Sequence, residues 1–231
     1  MNPVELSIAL LKNVRDQKRV QSWLLQMAQI PVENIINLAD NQKLAFWINI
    51  YNSHYQLLQP QFTSGDKKIF LAPQISLADT MLSLDDIEHG ILRKMQFKYG
   101  FGFIRNFCSR SIIKRLAVEK LDYKIHFALN CGAESCPAIR FYEEDKVFSL
   151  LEMAQQSFLS QETLIHRDKK QLHVSRIFLW FFRDFQNIST IRDLHSKVLE
   201  EDFSGYSIKF RKFNHKAKMG NFHTVSARKT Q

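Results

Sequence analysis

Residues 124–140 read KIHFALNCGAESCPAIR and hold a strand-like run that leads into a loop with two cysteines. In residues 124–130 the side chains alternate, which predicts a β-strand with one apolar face and one small, polar face. A glycine and a proline then end the strand and leave Cys131 and Cys136 in the loop. Binding and catalytic residues are concentrated in loops, so we expect a functional site here, although the same pattern also ends many core strands.

The length and composition predict one folded domain. The chain has 231 residues, of which 45% are hydrophobic, and this is enough for a sizeable core. We expect a single globular domain at 1–205, made of N-terminal helices at 1–39 and a core at 40–205, followed by a final strand and a basic tail at 206–231. No apolar run reaches the roughly 18 residues of a membrane span, and the start lacks signal-peptide features. We therefore expect a cytoplasmic protein whose three cysteines are free thiols.

The formal net charge of +9 comes mainly from the C-terminal tail. Residues after Asp202 hold seven of the 32 basic side chains and none of the 23 acidic ones, so the rest of the chain is nearly neutral. A basic tail can bind an acidic partner such as a phosphate backbone or anionic lipid, but runs of this kind are more often solvated ends. The high charge alone does not favour nucleic acid as the partner.

Hydrophobic periodicity and capping residues predict the other elements, including capping boxes formed by Asn2 with Glu5 and by Ser83 with Asp86. The expected helices cover residues 3–13, 17–29, 41–59, 83–95, 104–120, 144–159, 176–185 and 189–199. Strands are expected at 68–71, 124–130, 172–174 and 206–213. This order predicts an α+β fold, predominantly helical, around a small antiparallel sheet that contains 124–130 and 206–213. Cys108 falls inside a predicted helix and is interpreted as structural.

Two asparagines, Asn49 and Asn52, share one face of the predicted helix 41–59. Asparagine is unfavourable in the middle of a helix because its amide competes for backbone groups. Either these amides bond nearby loop backbone, or they orient a catalytic imidazole or a substrate.

The predicted helix 83–95 carries Asp85, His89 and Arg93 at four-residue intervals, with Glu88 beside them. This row is typical of a surface charge ladder, in which each pair stabilises a helix by about 0.2–0.5 kcal/mol. An acid next to a histidine is also the arrangement that holds an imidazole in one tautomer. Both interpretations stay open.

The cysteine loop can support nucleophilic chemistry if one thiol is ionised. A thiol pKa of about 8.5 must be lowered by an imidazolium, a cation or a helix N-terminus before the sulfur attacks a carbonyl. His126 lies just before Cys131 and Cys136, Arg140 follows them, and the amides of the turn are candidates for an oxyanion hole.

The same atoms allow other interpretations. Cys131, Cys136, His126 and His89 are four possible zinc ligands, but the C-x4-C spacing is looser than the C-x2-C of structural zinc sites. A redox pair is also possible, although the two-residue spacer of thioredoxin-like motifs is missing. Both cysteines can also be small core residues. We predict neither a metal nor a cofactor, and no nucleotide-binding or zinc-binding motif occurs.

Four stretches together resemble the family known as domain of unknown function 547, DUF547. They are LAFWINIYNSHY at 44–55, LSLDDIEHGILR at 82–93, KIHFALNCGAESCPAIR at 124–140 and VSRIFLWFFRDF at 174–185. The resemblance implies a shared pattern that includes Trp47, Asn49, Asn52, Glu88, His89, Arg93, His126, Cys131, Cys136 and Pro137. Family members usually continue after the last strand with an aromatic residue, Asp and Trp, whereas Asn214 and His215 follow Phe213 here. A distant likeness to papain-like or transglutaminase-like thiol enzymes is an analogy of fold alone.

These observations favour a cysteine-dependent hydrolase or acyl transferase acting on a small-molecule or peptide substrate. Cys131 or Cys136 is the expected nucleophile, and His126 or His89 the expected base. Glu88 or Asn49 is expected to orient the imidazole. The expected substrate-binding residues are Asn52, Arg93, Asn130 and Arg140. The alternative is a non-enzymatic binding or scaffold module in which these residues build the core and the basic tail meets an acidic partner.

Overall fold

Helices make up most of the regular structure, and the strands are short. The computed structural model describes residues 1–63, 66–99, 101–104 and 110–223. Within them the α-helices are α1 Pro3–Arg15, α2 Gln21–Ala28, α3 Val32–Ile36, α4 Asp40–Leu58, α5 Lys68–Leu71, α6 Ser111–Leu116, α7 Val147–Glu162, α8 Ile177–Trp180 and α9 Ile188–Leu199. The strands are β1 Ile75–Leu77, β2 Thr80–Leu82, β3 Leu164–His166, β4 Gln171–Val174 and β5 Ser207–Phe210. Short 3₁₀-helices occur at Gln59–Gln61, Tyr123–Phe127, Glu144–Lys146 and Phe182–Phe185, and a π-helix at Asp86–Leu92. The predicted α+β class is confirmed.

Helix α4 forms the centre of the larger hydrophobic core. Its side chains are buried on all faces, and Trp47, Ile48 and Tyr51 have at most 1% of their surface exposed. A helix that is buried on all faces requires neighbours on every side, and α1 packs along it. A second, smaller core gathers aromatic side chains around Phe127 and Phe178.

Both predicted capping boxes are confirmed. The Asn2 side chain accepts hydrogen bonds from the backbone at the start of α1, and the Glu5 carboxylate accepts from the Asn2 N–H. Likewise Ser83 donates to Asp86 Oδ2 through its N–H and its hydroxyl, and its Oγ accepts from the Asp86 N–H. These reciprocal bonds satisfy donors that a helix start otherwise leaves unpaired.

The helix after Ser83 has the wider π geometry, which the sequence pattern does not predict. The Arg93 N–H donates to the Glu88 carbonyl and the Met95 N–H to the Gly90 carbonyl, each bond spanning five residues. π-Helical segments are rare in proteins, and those that occur often lie at functional sites.

The predicted strand at 124–130 is wrong. Tyr123–Phe127 is a 3₁₀-helix that begins where the Asp122 carboxylate accepts from the Lys124 N–H. Ile125, Phe127 and also the intervening His126 are buried, so both faces of the segment meet protein. Alternation of side chains along a strand therefore does not describe this segment.

The predicted antiparallel sheet is wrong as well. β5 pairs in parallel with β4, and β4 pairs antiparallel with β3, which gives a mixed three-stranded sheet without residues 124–130. A separate hairpin joins β1 to β2. The expected strand at 68–71 is the helix α5, and α3 was not predicted.

The predicted helix 104–120 is described only in part. Helix α6 covers Ser111–Leu116, and the chain turns extended at Ala117. Residues 105–109, and with them Cys108, lie outside the described residues.

The chain after β5 lies against the cysteine loop. The Lys218 N–H donates to the Gly132 carbonyl at 2.8 Å, and the Glu134 N–H donates to the Lys216 carbonyl at 2.8 Å. The backbone of residues 214–218 is therefore bonded to the loop, while most side chains of residues 211–223, including Lys216 and Lys218, are exposed. An acidic partner for them stays a prediction. Among the described residues no helix has the length and apolarity needed to span a membrane.

Candidate active site

A cavity of about 740 Å³ lies between the cysteine loop, the π-helix and the aromatic segment 177–181. This volume falls within the roughly 300–1,000 Å³ of small-molecule sites. Much of its wall is aromatic or aliphatic, and five of the ten predicted site residues line it. They are Glu88, His89, His126, Cys131 and Cys136.

Asp184 holds the imidazole of His126 in one tautomer. His126 Nε2 lies 2.8 Å from Asp184 Oδ2, and both side chains have 1% of their surface exposed. An ionised carboxylate can only accept, so Nε2 carries the proton. No described residue bonds Nδ1, which is the basic nitrogen of this tautomer. The ring of Phe181 stacks on the imidazole with the centroids 3.9 Å apart.

Arg93 links this pair to the second histidine. Its Nε and Nη2 donate to the two oxygens of Asp184 at 2.7 and 3.1 Å, and its Nη1 donates to His89 Nδ1 at 3.0 Å. Because a guanidinium only donates hydrogen bonds, the lone pair of His89 Nδ1 is the acceptor in this bond. The remaining His89 nitrogen, Nε2, lies 3.8 Å from Asp85 Oδ1, beyond hydrogen-bond distance. Arg93 thus positions its neighbours from behind the cavity wall.

Burial and charge separate the protonation states of these groups. Burial, reinforced by the charge of Arg93, lowers the pKa of His89 to about 3. Burial also lowers the pKa of His126, although the hydrogen bond to Asp184 opposes it. Burial alone would raise the pKa of Asp184, but the bonds from His126 and Arg93 outweigh it and lower the pKa to about 2. At neutral pH both imidazoles are neutral and Asp184 is ionised.

Glu88 lines the cavity but does not orient an imidazole. Its Oε2 accepts from the Tyr51 hydroxyl at 3.1 Å, and burial together with this carboxylate raises the pKa of Tyr51 well above its usual value. Within the described residues Glu88 makes no hydrogen bond to His89 or His126. The orienting acid is Asp184.

The two cysteines of the loop form a disulfide, so the expectation of free thiols is wrong for Cys131 and Cys136. The loop brings their Cα atoms to 6.1 Å, which is within the range of natural disulfides. The Cys131 N–H also donates to Cys136 Sγ at 3.2 Å. The zinc alternative needs both sulfurs as separate ligands. In the described part of the chain, no three His, Cys, Asp or Glu side chains lie together so that they could hold a metal ion.

Asn52 and Asn130 shape the cysteine loop. Asn52 donates to the Ala128 carbonyl at 3.0 Å and accepts from the Asn130 N–H at 2.9 Å. Asn130 in turn donates to the Pro137 carbonyl at 2.6 Å and accepts from the Gly132 N–H at 2.9 Å. Both amides are bonded to backbone, so they position the loop, and neither lines the cavity.

Asn49 also bonds backbone and does not reach the cavity. Its side chain donates to the Ser7 hydroxyl and to the Tyr142 carbonyl, and it accepts from the Tyr142 N–H. It therefore anchors the chain after the loop to α1 and α4 instead of orienting an imidazole. Arg140 lies apart from these groups, in a second and smaller pocket.

The turn amides that we expected to form an oxyanion hole are bonded to protein. The Glu134 and Ser135 N–H groups donate to the carbonyls of Lys216 and Asn214, and the Cys136 N–H donates to the Ala133 carbonyl. The Cys131 N–H donates to Cys136 Sγ and the Gly132 N–H to Asn130 Oδ1, so all five of these turn amides already have an acceptor within the protein.

Sequence reasoning missed Asp184, although it quoted the segment that contains it. The residue is the one acid in the aromatic run RIFLWFFRDF, the predicted helix 176–185. A carboxylate buried among aromatic rings needs a charged or hydrogen-bonding partner. That requirement is a signal for a site, but the sequence does not say where the partner lies.

Fold and cavity together define an α+β protein with an Asp-anchored histidine and a cysteine pair in one apolar cavity. A family model described as "Protein of unknown function, DUF547" matches residues 35–159. Since the match covers more than half of the chain, the protein belongs to the DUF547 family, which confirms the resemblance. No curated protein and no solved structure matches the chain. The likeness to papain-like or transglutaminase-like enzymes therefore stays a prediction.

Proposed function

We propose that the protein is a thiol-dependent hydrolase or acyl transferase in its reduced state. One observation carries the proposal: His126, anchored through Nε2 by Asp184, lines the same cavity as Cys131 and Cys136. A base whose far nitrogen is fixed by an acid presents its other nitrogen to a nucleophile or substrate. The apolar wall provides room for an acyl group.

Cys136 is the better nucleophile of the pair. Its sulfur accepts the Cys131 N–H, and such a bond favours the thiolate over the thiol. The histidine that serves as base is His126, because Arg93 occupies the lone pair of His89 and the pKa of His89 is about 3.

The reaction begins with reduction of the disulfide by two electrons and two protons from an external dithiol. His126 then takes the Cys136 proton, and the sulfur attacks a carbonyl to form a thioester. The leaving group departs with the proton from His126. Water or another acceptor takes the acyl group and returns the thiol.

Labelling with iodoacetamide across pH tests this proposal. After mild reduction we expect Cys136 to react well below pH 8, and we expect His126→Gln to shift its rate profile toward an ordinary thiol with a pKa of about 8.5. The half-buried His173, which lies on β4, provides His173→Gln as a control. Peptide mapping assigns the label. A profile near pH 8.5 in the wild type, unchanged by His126→Gln, would refute the mechanism.

The disulfide favours a second candidate, electron transfer between thiols and disulfides. Incubation of the reduced protein with an acyl thioester and, separately, with glutathione disulfide distinguishes the two. An acyl enzyme gains one acyl group on Cys136 and keeps Cys131 as a free thiol. An oxidoreductase loses both thiols together and gains no acyl group. The binding or scaffold alternative predicts no acyl group on Cys136, and glutathione disulfide re-forms its disulfide no faster than in an unactivated dithiol.

A further inference from the structure

A second pocket, of about 250 Å³, lies on the other side of Cys136. Cys136 and Pro137 line both this pocket and the large cavity, so Cys136 is shared by the two. The second pocket is smaller than the roughly 300–1,000 Å³ of a whole small-molecule site, and its wall carries several polar side chains. It suits the polar part of a ligand whose apolar part occupies the large cavity.

Arg140 is the unsatisfied charge of this second pocket. Its side chain is half-buried, and burial lowers its pKa. It makes no hydrogen bond or ion pair with any residue in the described ranges. A partly desolvated guanidinium is costly without an anion, and its planar group of donors matches a carboxylate. Lys218 lies in the same wall, where its charge acts on Glu162.

The acidic side chains of the pocket do not fill this role, because each has another partner. Glu162 Oε2 accepts from Arg211 Nη1 at 3.3 Å, and Glu134 Oε2 accepts from the Asn214 amide at 2.8 Å. The positive charge of Arg140 is thus left for a ligand.

We propose that Arg140 binds the carboxylate of the leaving group and that the substrates are N-acyl amino acids. This inference rests on the proposed function of Cys136. The acyl chain occupies the large cavity, the amide carbonyl meets Cys136, and the amino acid lies in the Arg140 pocket. Thioester formation breaks the amide bond, and the amino acid leaves as an amine with the proton from His126. Water then hydrolyses the thioester to a fatty acid.

Binding of two probes that differ only in charge tests the inference. N-octanoylglycine carries the carboxylate, and N-octanoylglycinamide replaces it with a neutral amide. Titration calorimetry on the full chain with Cys136→Ser measures binding without turnover. We expect the acid to bind about 10- to 100-fold more tightly than the amide, as for hydrogen bonds to charged groups. Arg140→Met should remove this preference, and Arg19→Met, at an exposed arginine that does not line the second pocket, should not.

The outcomes separate the inference from the proposed function. Equal binding of the two probes to the native pocket overturns the inference, even if Arg140→Met does not fold. A preference that survives in folded Arg140→Met overturns it as well. Arg140-dependent binding without hydrolysis by the reduced wild type supports the pocket and contradicts the hydrolase. Equal hydrolysis of both probes supports the hydrolase and contradicts the role of Arg140 in binding the carboxylate.

Discussion

Replacing Asp184 with asparagine tests the buried network without any assumption about substrate. The change keeps the shape of the side chain but removes its charge. Arg93 would then be a buried cation without its carboxylate, and both of these side chains have 1% of their surface exposed. His126 would also lose the acid that fixes its tautomer.

The structure gives the magnitude of this effect on stability. The drop in the pKa of Asp184 from 3.8 to about 2 corresponds to about 2 kcal/mol in favour of the ionised form. Removing one partner of a buried ion pair typically costs about 3–5 kcal/mol, because the other charge stays buried. We therefore expect Asp184→Asn to lower the free energy of unfolding by about 3 kcal/mol or more at pH 7.

Urea denaturation at pH 7 measures this loss, and the exposed Asp193→Asn is the control, with an expected change within about 0.5 kcal/mol. The pKa of Asp184 is depressed in the folded state, so its contribution is complete above about pH 4 and is lost as the pH falls toward 2. The difference between wild type and Asp184→Asn should shrink over that window.

A double variant provides the sharpest check. Arg93→Gln with Asp184→Asn removes both charges, so its cost should be clearly smaller than the sum of the two single changes. An Asp184→Asn protein within about 1 kcal/mol of the wild type, or strictly additive effects, would refute the reasoning.

Three further predictions concern the fold around the site. Burial lowers the pKa of His54 from 6.5 to about 4, so the unfolded chain takes up a proton there before the folded protein does, and stability falls as the pH drops below 6.5. By pH 5 the free energy of unfolding of the wild type should have dropped by about 2 kcal/mol more than that of His54→Gln, as measured by urea titration. Asn52→Ala leaves two buried backbone groups unpaired and should cost about 2–5 kcal/mol by thermal denaturation, whereas the exposed Asn34→Ala should cost little. Gly102→Ala places a Cβ 2.7 Å from the Asp184 carboxylate at a φ of +83°, so it should lower the melting temperature, while Gly205→Ala, with nothing within 4 Å, should not.

Local chemistry explains what the sequence predicted well. The capping boxes at Asn2 and Ser83 depend on residues three positions apart, so a few residues of sequence are enough to predict them. The strand expected at 124–130 failed because its side chains alternate in type, but both kinds of side chain are buried, so the alternation does not mark a half-buried strand. Its backbone bonds close within Tyr123–Phe127, which the pattern of side chains does not reveal.

The parts of the site that were missed depend on contacts between distant residues. His126 and Asp184 are 58 positions apart, and β5 reaches β4 across more than 30 residues. The charge of the tail after Asp202 favoured a solvated end, yet the backbone of residues 214–218 bonds the cysteine loop. Composition describes a side chain's preference for water, but it does not describe where the backbone lies.

The buried network is itself an argument for a site. Taking Arg93, Asp184 and His126 out of water carries a desolvation cost, and replacing such a group with apolar side chains of similar volume is often neutral or stabilising. Stability alone therefore does not require these three polar groups against the rings of Phe181 and Phe185. Their arrangement leaves His126 with a proton fixed on Nε2 and a basic Nδ1, in the wall that also holds the cysteine pair. The proposed thiol chemistry needs that combination, whereas packing does not.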